Sequence, residues 1–536
     1  MTTPHEIELK LALPPTQAAA FLKRMARRRT LKGTSSAPVE QDLATRYFDT
    51  PEFALSAQGV ALRVRRTLEG TSTLKGTSTL KGTSTLKGTS AGRRWLQTLK
   101  TEGERQGGLS RRLEFEMPVR RGALEWARFP AEALACVPED LRGQVVPLFE
   151  TRFHRTAWLI KGKGGAQIEV ALDVGEVVAG ERSQPLCEVE LELKSGQPDA
   201  LFALALEWAG AFGCLPFDVS KAERGVRLAH GVEAAPLKSA AVELDDGMGV
   251  EDAFAALCQA CLTQFQANLP GVFESTDIEY VHQARVALRR LRAVLRLFRR
   301  VCVLPDALLD GLRAMVDVLG PARDWDVLLD ETLPAIAPHY GDSAAWAAGM
   351  AVLEARRAEV RSAMQAALAA AQPGAWLLAM QRWLLQHGWR GTGAAGEPVE
   401  RRLAQMAPLD AWARRALRRG HRRVVRGARV FAELQPDERH ALRIAIKRQR
   451  YAAEFFQGLF AGKRQARCLA LLRAAQDSLG RANDAHIARG LLAGAPAAAG
   501  PMRDFALGWL AAQEAGASNG GSAALMREFL ELKTCG

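Results

Sequence analysis

No stretch of this 536-residue sequence has the makings of a bilayer-spanning helix, because no uncharged run approaches the ~20 residues that a span requires. The opening MTTPHEIELK has no apolar segment of the kind that directs export. Eight cysteines, at 136, 187, 214, 258, 261, 302, 468 and 535, are scattered and form no disulfide framework. Together these absences predict a cytoplasmic, reduced protein without a membrane partner. Cys258 and Cys261 do form a CxxC, but inside an apparent helix, AFAALCQACLTQF, with no second CxxC and no suitably spaced histidine. Core packing is therefore expected there rather than zinc. The sequence also lacks a GxxxxGK[ST] phosphate loop. There is no convincing Ser–His or Cys–His pairing for nucleophilic catalysis. No groove-reading module or aromatic stacking motif marks a nucleic-acid binder.

What is present is positive charge and a division into two halves. Apolar residues make up 48% of the chain, enough to bury sizeable cores, and 72 basic residues against 59 acidic ones give a formal charge of +13. That balance favours an anionic partner: nucleic acid, an acidic membrane surface or a polyphosphate. Residues 1–230 read mostly as β and residues 250–536 as helix, joined by the polar, Gly/Pro-punctuated stretch 231–249. A β domain, a linker and a helical domain are the expected organisation.

The strands of the first half alternate, with unusual occupants. In EIELKL the residues Glu6, Glu8 and Lys10 share one face and Ile7, Leu9 and Leu11 the other. ALRVRR places Arg63 and Arg65 together, RLEFEM groups Arg112, Glu114 and Glu116, IEVALDV groups Glu169 and Asp173, and CEVELELK groups Glu188, Glu190, Glu192 and Lys194. Two readings stay open on these residues alone. One is a sheet with a solvated outer face. The other is a closed barrel with the charges around its lumen, in which facing carboxylates hold a divalent cation and Arg and Lys grip an oligophosphate.

EIELK is the ExExK signature that opens the CYTH domain of triphosphate tunnel metalloenzymes. It is followed in family order by TRYFDTP (45–51), ALRVRR (61–66), LQTLK (96–100), RLEFE (112–116), EVALDVGEV (169–177), EVELELK (188–194) and SKAERG (220–225). Residues 1–230 resemble that family. The resemblance implies an eight-stranded antiparallel β tunnel acting on a triphosphate with Mg²⁺ or Mn²⁺. It implies that Glu6, Glu8, Glu114, Asp173, Glu190 and Glu192 lie on the metal side, with Glu6, Glu8 and Lys10 at the catalytic centre. Lys10, Arg63, Arg65, Lys100, Arg112, Arg155 and Lys221 would grip phosphate. Arg152, three residues from Arg155, would face the other side of a regular strand, so one of the pair is expected in the lumen. Glu116 and Glu188 are equally expected as ion-pair partners.

The second half contains a duplication. His282-x2-Arg285-x3-Arg289-x2-Arg292 matches His440-x2-Arg443-x3-Lys447-x2-Arg450, and LGPARDWDVL (319–328) matches LGRANDAHIA (479–488). At about 100° per residue the four motif positions fall within about 80° of one another, so each copy is a basic stripe on one helix face. Leu288, Leu291, Leu295 and Phe298 fall on the opposite, core-facing side. Seven arginines between Tyr280 and Leu304, and eight between Ala411 and Ala432, occur with no acid among them. A merely solvated face normally mixes signs, so these runs point to a bound polyanion.

Residues from about 250 to 500 resemble the CHAD domain, an all-α fold of two pseudo-symmetric four-helix units. The resemblance implies binding of long-chain polyphosphate at His282, Arg285, Arg289, Arg292, Arg296, His440, Arg443, Lys447 and Arg450. Two departures are noted. Asn483 stands where the first repeat has Arg323, and residues 373–398, with Trp376, Trp383 and Trp389, match nothing in the pattern and read as an extra, core-packed helix.

The two resemblances together imply an inorganic triphosphatase with a polyphosphate-binding module. The alternatives are a non-catalytic polyphosphate-binding protein, a thiamine or nucleoside triphosphate hydrolase or adenylate cyclase of the same superfamily, and, last, a nucleic-acid binder. One feature fits none of them: TLxGTS occurs four times in tandem over 67–90 and once more at 30–35. The tandem copies fall between two expected tunnel strands, so they read as a repeat expansion tolerated in a hairpin loop. Deleting 67–90 is expected to leave triphosphate hydrolysis largely intact. A collapse of activity with an unchanged thermal melt would show instead that the loop gates the tunnel.

Overall fold

The computed structural model describes residues 5–32, 36–68, 95–390, 399–460, 462–516, 520–532 and 534. It divides into two units: residues 1–235 together with 374–382, and residues 236–373 together with 383–536.

In the first unit the alternating strands close into an antiparallel barrel. They are β1 (His5–Ala12), β2 (Val39–Asp49), β3 (Ala61–Leu68), β4 (Trp95–Lys100), β5 (Glu104–Gln106), β6 (Leu109–Val119), β7 (Val146–Lys161), β8 (Gln167–Ala179), β9 (Arg182–Ser195) and the two-residue β10 (Leu215–Pro216). Eight of them form the wall in the order β1-β9-β8-β7-β2-β3-β4-β6, and β6 pairs back onto β1, with Glu6 opposite Arg112, to close it. The apolar alternates point outward. Leu9, Leu11, Ile168, Val170, Leu172, Val189 and Leu191 are buried beneath α1 (Ala18–Lys32) and α2 (Asp199–Phe212). Phe21 of α1 meets Trp208 of α2 edge-on at 5.1 Å. Each large side chain fully buried in this layer contributes about 1.5–3 kcal/mol. Covering the apolar face in this way leaves the charged face for the lumen.

α3 (Lys221–His230) begins with a capping box: Ser220 Oγ accepts from Glu223 N at 3.1 Å, and Glu223 Oε2 accepts from Ser220 N at 2.7 Å. Its apolar side packs on Tyr47, Phe149 and Val177. Glycine is needed at 225, because a Cβ there would lie 2.0 Å from the Phe149 ring.

β3 and β4 are directly paired, Arg65 opposite Leu96, so the TLxGTS copies do separate two adjacent strands of the wall. Thr67 and Leu68 belong to β3, and the repeats from 69 onward lie outside the described residues. The lone copy differs from the expected loop insert: Thr30–Lys32 form the last residues of α1, and 33–35 lie outside the described residues.

The boundaries differ from the expected 1–230, 231–249 and 250–536 in two places. From Pro236 the chain already belongs to the helical unit, where Asn268 holds the Leu237 backbone through both its N–H (3.1 Å) and its C=O (3.0 Å). Residues 374–382, expected with the helices, belong to the barrel unit instead. Leu378 is in the outer core, and Arg382 makes a two-pronged contact with Asp199 at 2.5 and 2.7 Å.

The second unit is helical: α4 (Val250–Glu274), α5 (Ile278–Phe298), α6 (Asp306–Val327), α7 (Ser343–Ala370), the end of α8 (Pro373–Leu385), α9 (Leu409–Arg429), α10 (Pro436–Phe455), α11 (Lys463–Ala493), α12 (Gly500–Gly516) and α13 (Gly520–Glu531). The duplication is visible in the packing. The series α4–α5–α6–α7 and α9–α10–α11–α12 each pack successive neighbours, and α5 also packs on α10. The two His-Arg motifs occupy matching helices, α5 and α10. Leu288, Leu291 and Phe298 are fully buried on the far side of the α5 stripe. Cys258 and Cys261 are buried in α4, and burial raises both thiols, as a core position requires. Trp383 and Trp389 surround Phe254 at 6.0 and 5.3 Å, so they too are core.

Candidate functional site

The barrel encloses a cavity of about 620 Å³. Glu6, Glu8, Lys10, Arg63, Arg65, Lys100, Arg112, Glu114, Arg155, Glu190, Glu192 and Lys221 all line it. Asp173 does not: it is fully buried in the wall behind Arg155 and Lys221. Arg155 points into the lumen, while Arg152 is exposed on the outside, as strand alternation requires.

The charges fall into three neighbourhoods. In the first, β1, β4 and β6 bring Glu6 and Glu8 against basic groups. Lys100 Nζ donates to Glu6 Oε2 at 2.8 Å, and Arg112 bridges Glu6 (3.1 Å) and Glu8 (2.6 Å). Glu114 sits 3.1 Å from Lys100 and 3.5 Å from Arg63, and these cations overcome its burial and hold its carboxyl below the usual range.

The second neighbourhood is built on Lys221, which α3 delivers into the barrel from its capped first turn. Lys221 Nζ lies 2.7 Å from Asp173, 2.5 Å from Glu188 and 2.8 Å from Glu190. Arg155 adds a two-pronged contact to Asp173, both arms at 2.7 Å, and a third bond to Glu190 at 2.5 Å. Despite burial, these cations hold Asp173 and Glu190 below the carboxylate range, Glu190 far below. The three carboxylates bring oxygens within 4.8 Å of one another, but their charge is already balanced by Lys221 and Arg155, with Lys10 3.5 Å from Glu190.

The third is different in kind. Glu169, Glu192 and Glu8 sit directly opposite one another on β8, β9 and β1, with Lys194 as the cation at their edge, 2.7 Å from Glu192 and 3.6 Å from Glu169. Burial, and then repulsion from Glu6 and Glu169, outweigh Lys194 and raise the Glu192 carboxyl. Glu169 and Glu192 share Lys194 alone, while Glu8 is also held by Arg112, and such a row of hard oxygen donors fits Mg²⁺ or Mn²⁺. Glu169, which the strand pattern groups with Asp173 on the charged face, is not among the residues expected on the metal side.

Across the lumen the imbalance is reversed. Among the described residues no carboxylate forms an ion pair with Arg65, and its Nε is buried without a hydrogen-bond partner. Burial and the neighbouring Arg63 and Arg155 push Arg65 down to about 10. Arg63 Nε is likewise unpartnered, and Tyr47 of the TRYFDTP motif lies opposite Arg63 on β2. Burial would raise the Tyr47 phenol, but Arg63 and Lys221 lower it. The unpaired Arg65 guanidinium, with the free Nε of Arg63 beside it, offers donors to an anion in the cavity, although Arg63 also reaches Glu114.

The helical unit presents a second basic site. Lys447 of α10 faces Arg285 and Arg289 of α5 and Arg443 and Arg450 of its own helix. Arg289 and Arg443 each have a buried Nε without a partner. Arg450 is engaged by Glu454 (3.0 Å) and Gln476 (2.9 Å). His282 is half-buried, and burial and Arg323 lower it, whereas His440 is exposed near the start of α10. Arg292 is exposed on α5. Arg296 extends the stripe into a cavity of about 320 Å³, where it meets Arg299, Arg300, Arg419, Arg423 and Arg448 over a floor that includes Ala293, Ala416, Ala445 and Ala452. The arginine runs announced these groups apart from Arg448, but their convergence from three helices is tertiary.

Residues 4–226 match the family model described as the CYTH domain, and residues 256–493 match that of the CHAD domain. The chain is 30% identical over 241 residues to an inorganic triphosphatase of Haemophilus influenzae, an overlap of 42% of this chain and 55% of that protein. It thus spans about half the length of this curated relative. Among solved structures, the CHAD domain from the plant Ricinus communis is 33% identical, with a TM-score of 0.47 over 55% of this chain and 97% of that one. A putative adenylyl cyclase from Hippeastrum, described as having a dominant triphosphatase activity, is 18% identical, with a TM-score of 0.27 over 42% of this chain and 97% of that one.

Proposed function

The chain carries a CYTH domain followed by a CHAD domain, and on that premise we propose that it hydrolyses inorganic triphosphate to pyrophosphate and phosphate in the barrel and binds polyphosphate on its helical unit. The observation that carries the first part is that one lumen holds Glu169 and Glu192, served by Lys194 alone, and Arg65, which has no ion-pair partner among the described residues. A polyphosphate chain with a divalent cation supplies both missing charges at once. Arg63 and Arg65 grip the chain, aided by Arg155 and Lys221. Lys100 and Arg112 hold Glu6 and Glu8 in place and neutralise charge on the phosphate that departs. Glu8, Glu192 and Glu169, with Glu6, would hold Mg²⁺ or Mn²⁺, which when bound polarises phosphoryl oxygens and lowers the pKa of water. Phosphoryl transfer needs this positioning and neutralisation more than a covalent nucleophile.

The polyphosphate reading rests on Arg285, Arg289, Arg443 and Lys447, among which no carboxylate pair is found in the described residues. Phosphate release from tripolyphosphate, ATP and thiamine triphosphate, each with Mg²⁺ or Mn²⁺, tests the enzyme reading. Release is expected to be fastest with tripolyphosphate. No metal-dependent release from any of the three would remove the hydrolase. Titration of the full chain with long-chain polyphosphate and with duplex DNA tests the second part, and equal affinity for both would remove the assignment to polyphosphate.

A further inference from the structure

From residue 236 onward the chain has four lysines, at 238, 447, 463 and 533, and draws its other fixed positive charge from arginine. Lys238 and Lys463 are exposed, and Lys533 lies outside the described residues. Lys447 is unlike them. It is half-buried and stands where the first repeat has Arg289, with Arg285, Arg289, Arg443 and Arg450 as the charged groups facing it. Two acids border the cluster through its arginines, Asp324 beside Arg285 and Glu454 paired with Arg450, and the strongest charges acting on Lys447 itself are the four guanidiniums. An arginine at 447 would bind phosphate at least as well. What lysine adds is an amine able to lose its proton. Burial and the four guanidiniums push that amine down to about 7. About half of it then carries a free lone pair at neutral pH, against roughly one part in a thousand for an exposed lysine.

We propose that Lys447 is an acylation site whose donors are acyl phosphates, captured through their phosphate by Arg285, Arg289 and Arg443. This rests on reading the cluster as a phosphate-binding site. The Nζ lone pair attacks the carbonyl carbon of the donor and an N–C bond forms. The C–O bond to the phosphate breaks, and inorganic phosphate leaves with the bonding pair, held by the guanidiniums. The amine proton passes to water or to the departing phosphate. The amide product cannot be protonated, so the reaction removes one positive charge from the polyanion site.

The test incubates the full chain with acetyl phosphate and follows acetylation of Lys447, Lys463 and Lys238 by peptide mass spectrometry. Lys447 is expected to react at least about tenfold faster than Lys463. Its rate should change less than about threefold from about pH 7 to about pH 8.5, a range over which an amine of ordinary lysine pKa gains more than about tenfold. Tripolyphosphate should slow Lys447 and leave Lys463 unaffected. With a phosphate-free acetyl ester the preference for Lys447 should shrink, and an undiminished preference would overturn capture through phosphate. Equal rates at Lys447 and Lys463, together with an affinity for long-chain polyphosphate that Arg443→Ala weakens, overturn the acylation site and leave the anion site standing. An affinity that Arg443→Ala leaves unchanged, with no protection of Lys447, overturns both.

Discussion

Glu6→Gln lowers the turnover of tripolyphosphate by about two orders of magnitude or more, with the fold kept, if the carboxylate row holds the catalytic cation. The substitution removes one charge and preserves shape. It leaves Lys100 and Arg112 in place to attract phosphate, so kcat should fall more than KM rises. Steady-state kinetics beside a thermal melt check both halves of this expectation, and a loss confined to KM would mean that Glu6 serves only to hold its two basic partners. The same row sets a pH dependence. Burial and the proximity of Glu6 and Glu169 raise Glu192, so it takes up its proton at a higher pH than an ordinary carboxylate and loses its negative charge there. Activity is therefore expected to fall on the acid side from above the usual carboxylate range. Because cation and proton compete for the same oxygens, raising Mg²⁺ should move that limb to lower pH. A limb indifferent to Mg²⁺ would place the responsible group outside the row.

The alternation marks one charged face on each of five strands but leaves a solvated sheet and a closed barrel both open; the resemblance to the tunnel family chooses closure, which the pairing of β1 with β6 supplies. The same alternation separates Arg155 from Arg152. What the strands do not encode is which charges are balanced. Asp173 and Glu190 carry the same residue pattern as Glu169 and Glu192, yet Lys221, arriving from a helix that follows the last long strand, neutralises them, and Asp173 is withdrawn from the lumen. Glu169 gains its significance from Glu192 and Glu8 beside it, a register that no single strand reveals. In the helical unit the repeat spacing marks Arg285, Arg289, Arg443 and Lys447. It says nothing of Arg448, Arg419 and Arg423 meeting Arg296, because that meeting depends on how α9 packs on α10. The segment 374–382 hides its place for a related reason: its apolar residues suit a core, and sequence alone does not say whose.

Lys221→Met should be the most destabilising of the substitutions considered for the barrel. Removing one partner of a buried charge network costs about 3–5 kcal/mol, since the remaining charges stay buried and uncompensated. Here three carboxylates, those of Asp173, Glu188 and Glu190, surround the ammonium. The sign of the pH effect distinguishes this from a simple packing loss. In the native protein Asp173 and Glu190 are held low, so their contribution is present above their unfolded pKa values and is lost as pH falls through the folded ones. In the variant the same carboxyls repel one another in a buried place and are raised, so mild acid, by protonating one, should narrow the deficit. Calorimetric melts at about pH 7.5 and about pH 5.5 should show the gap between variant and native protein shrinking at the lower pH. Divalent cations provide a second readout. With Lys221 gone, oxygens within 4.8 Å of one another become an open carboxylate trio, and Mg²⁺ or Mn²⁺ should raise the melting temperature of the variant more than that of the native protein. Equal shifts in both, with a deficit that does not change with pH, would mean that Lys221 stabilises the barrel through the packing of its alkyl stem rather than through its charge.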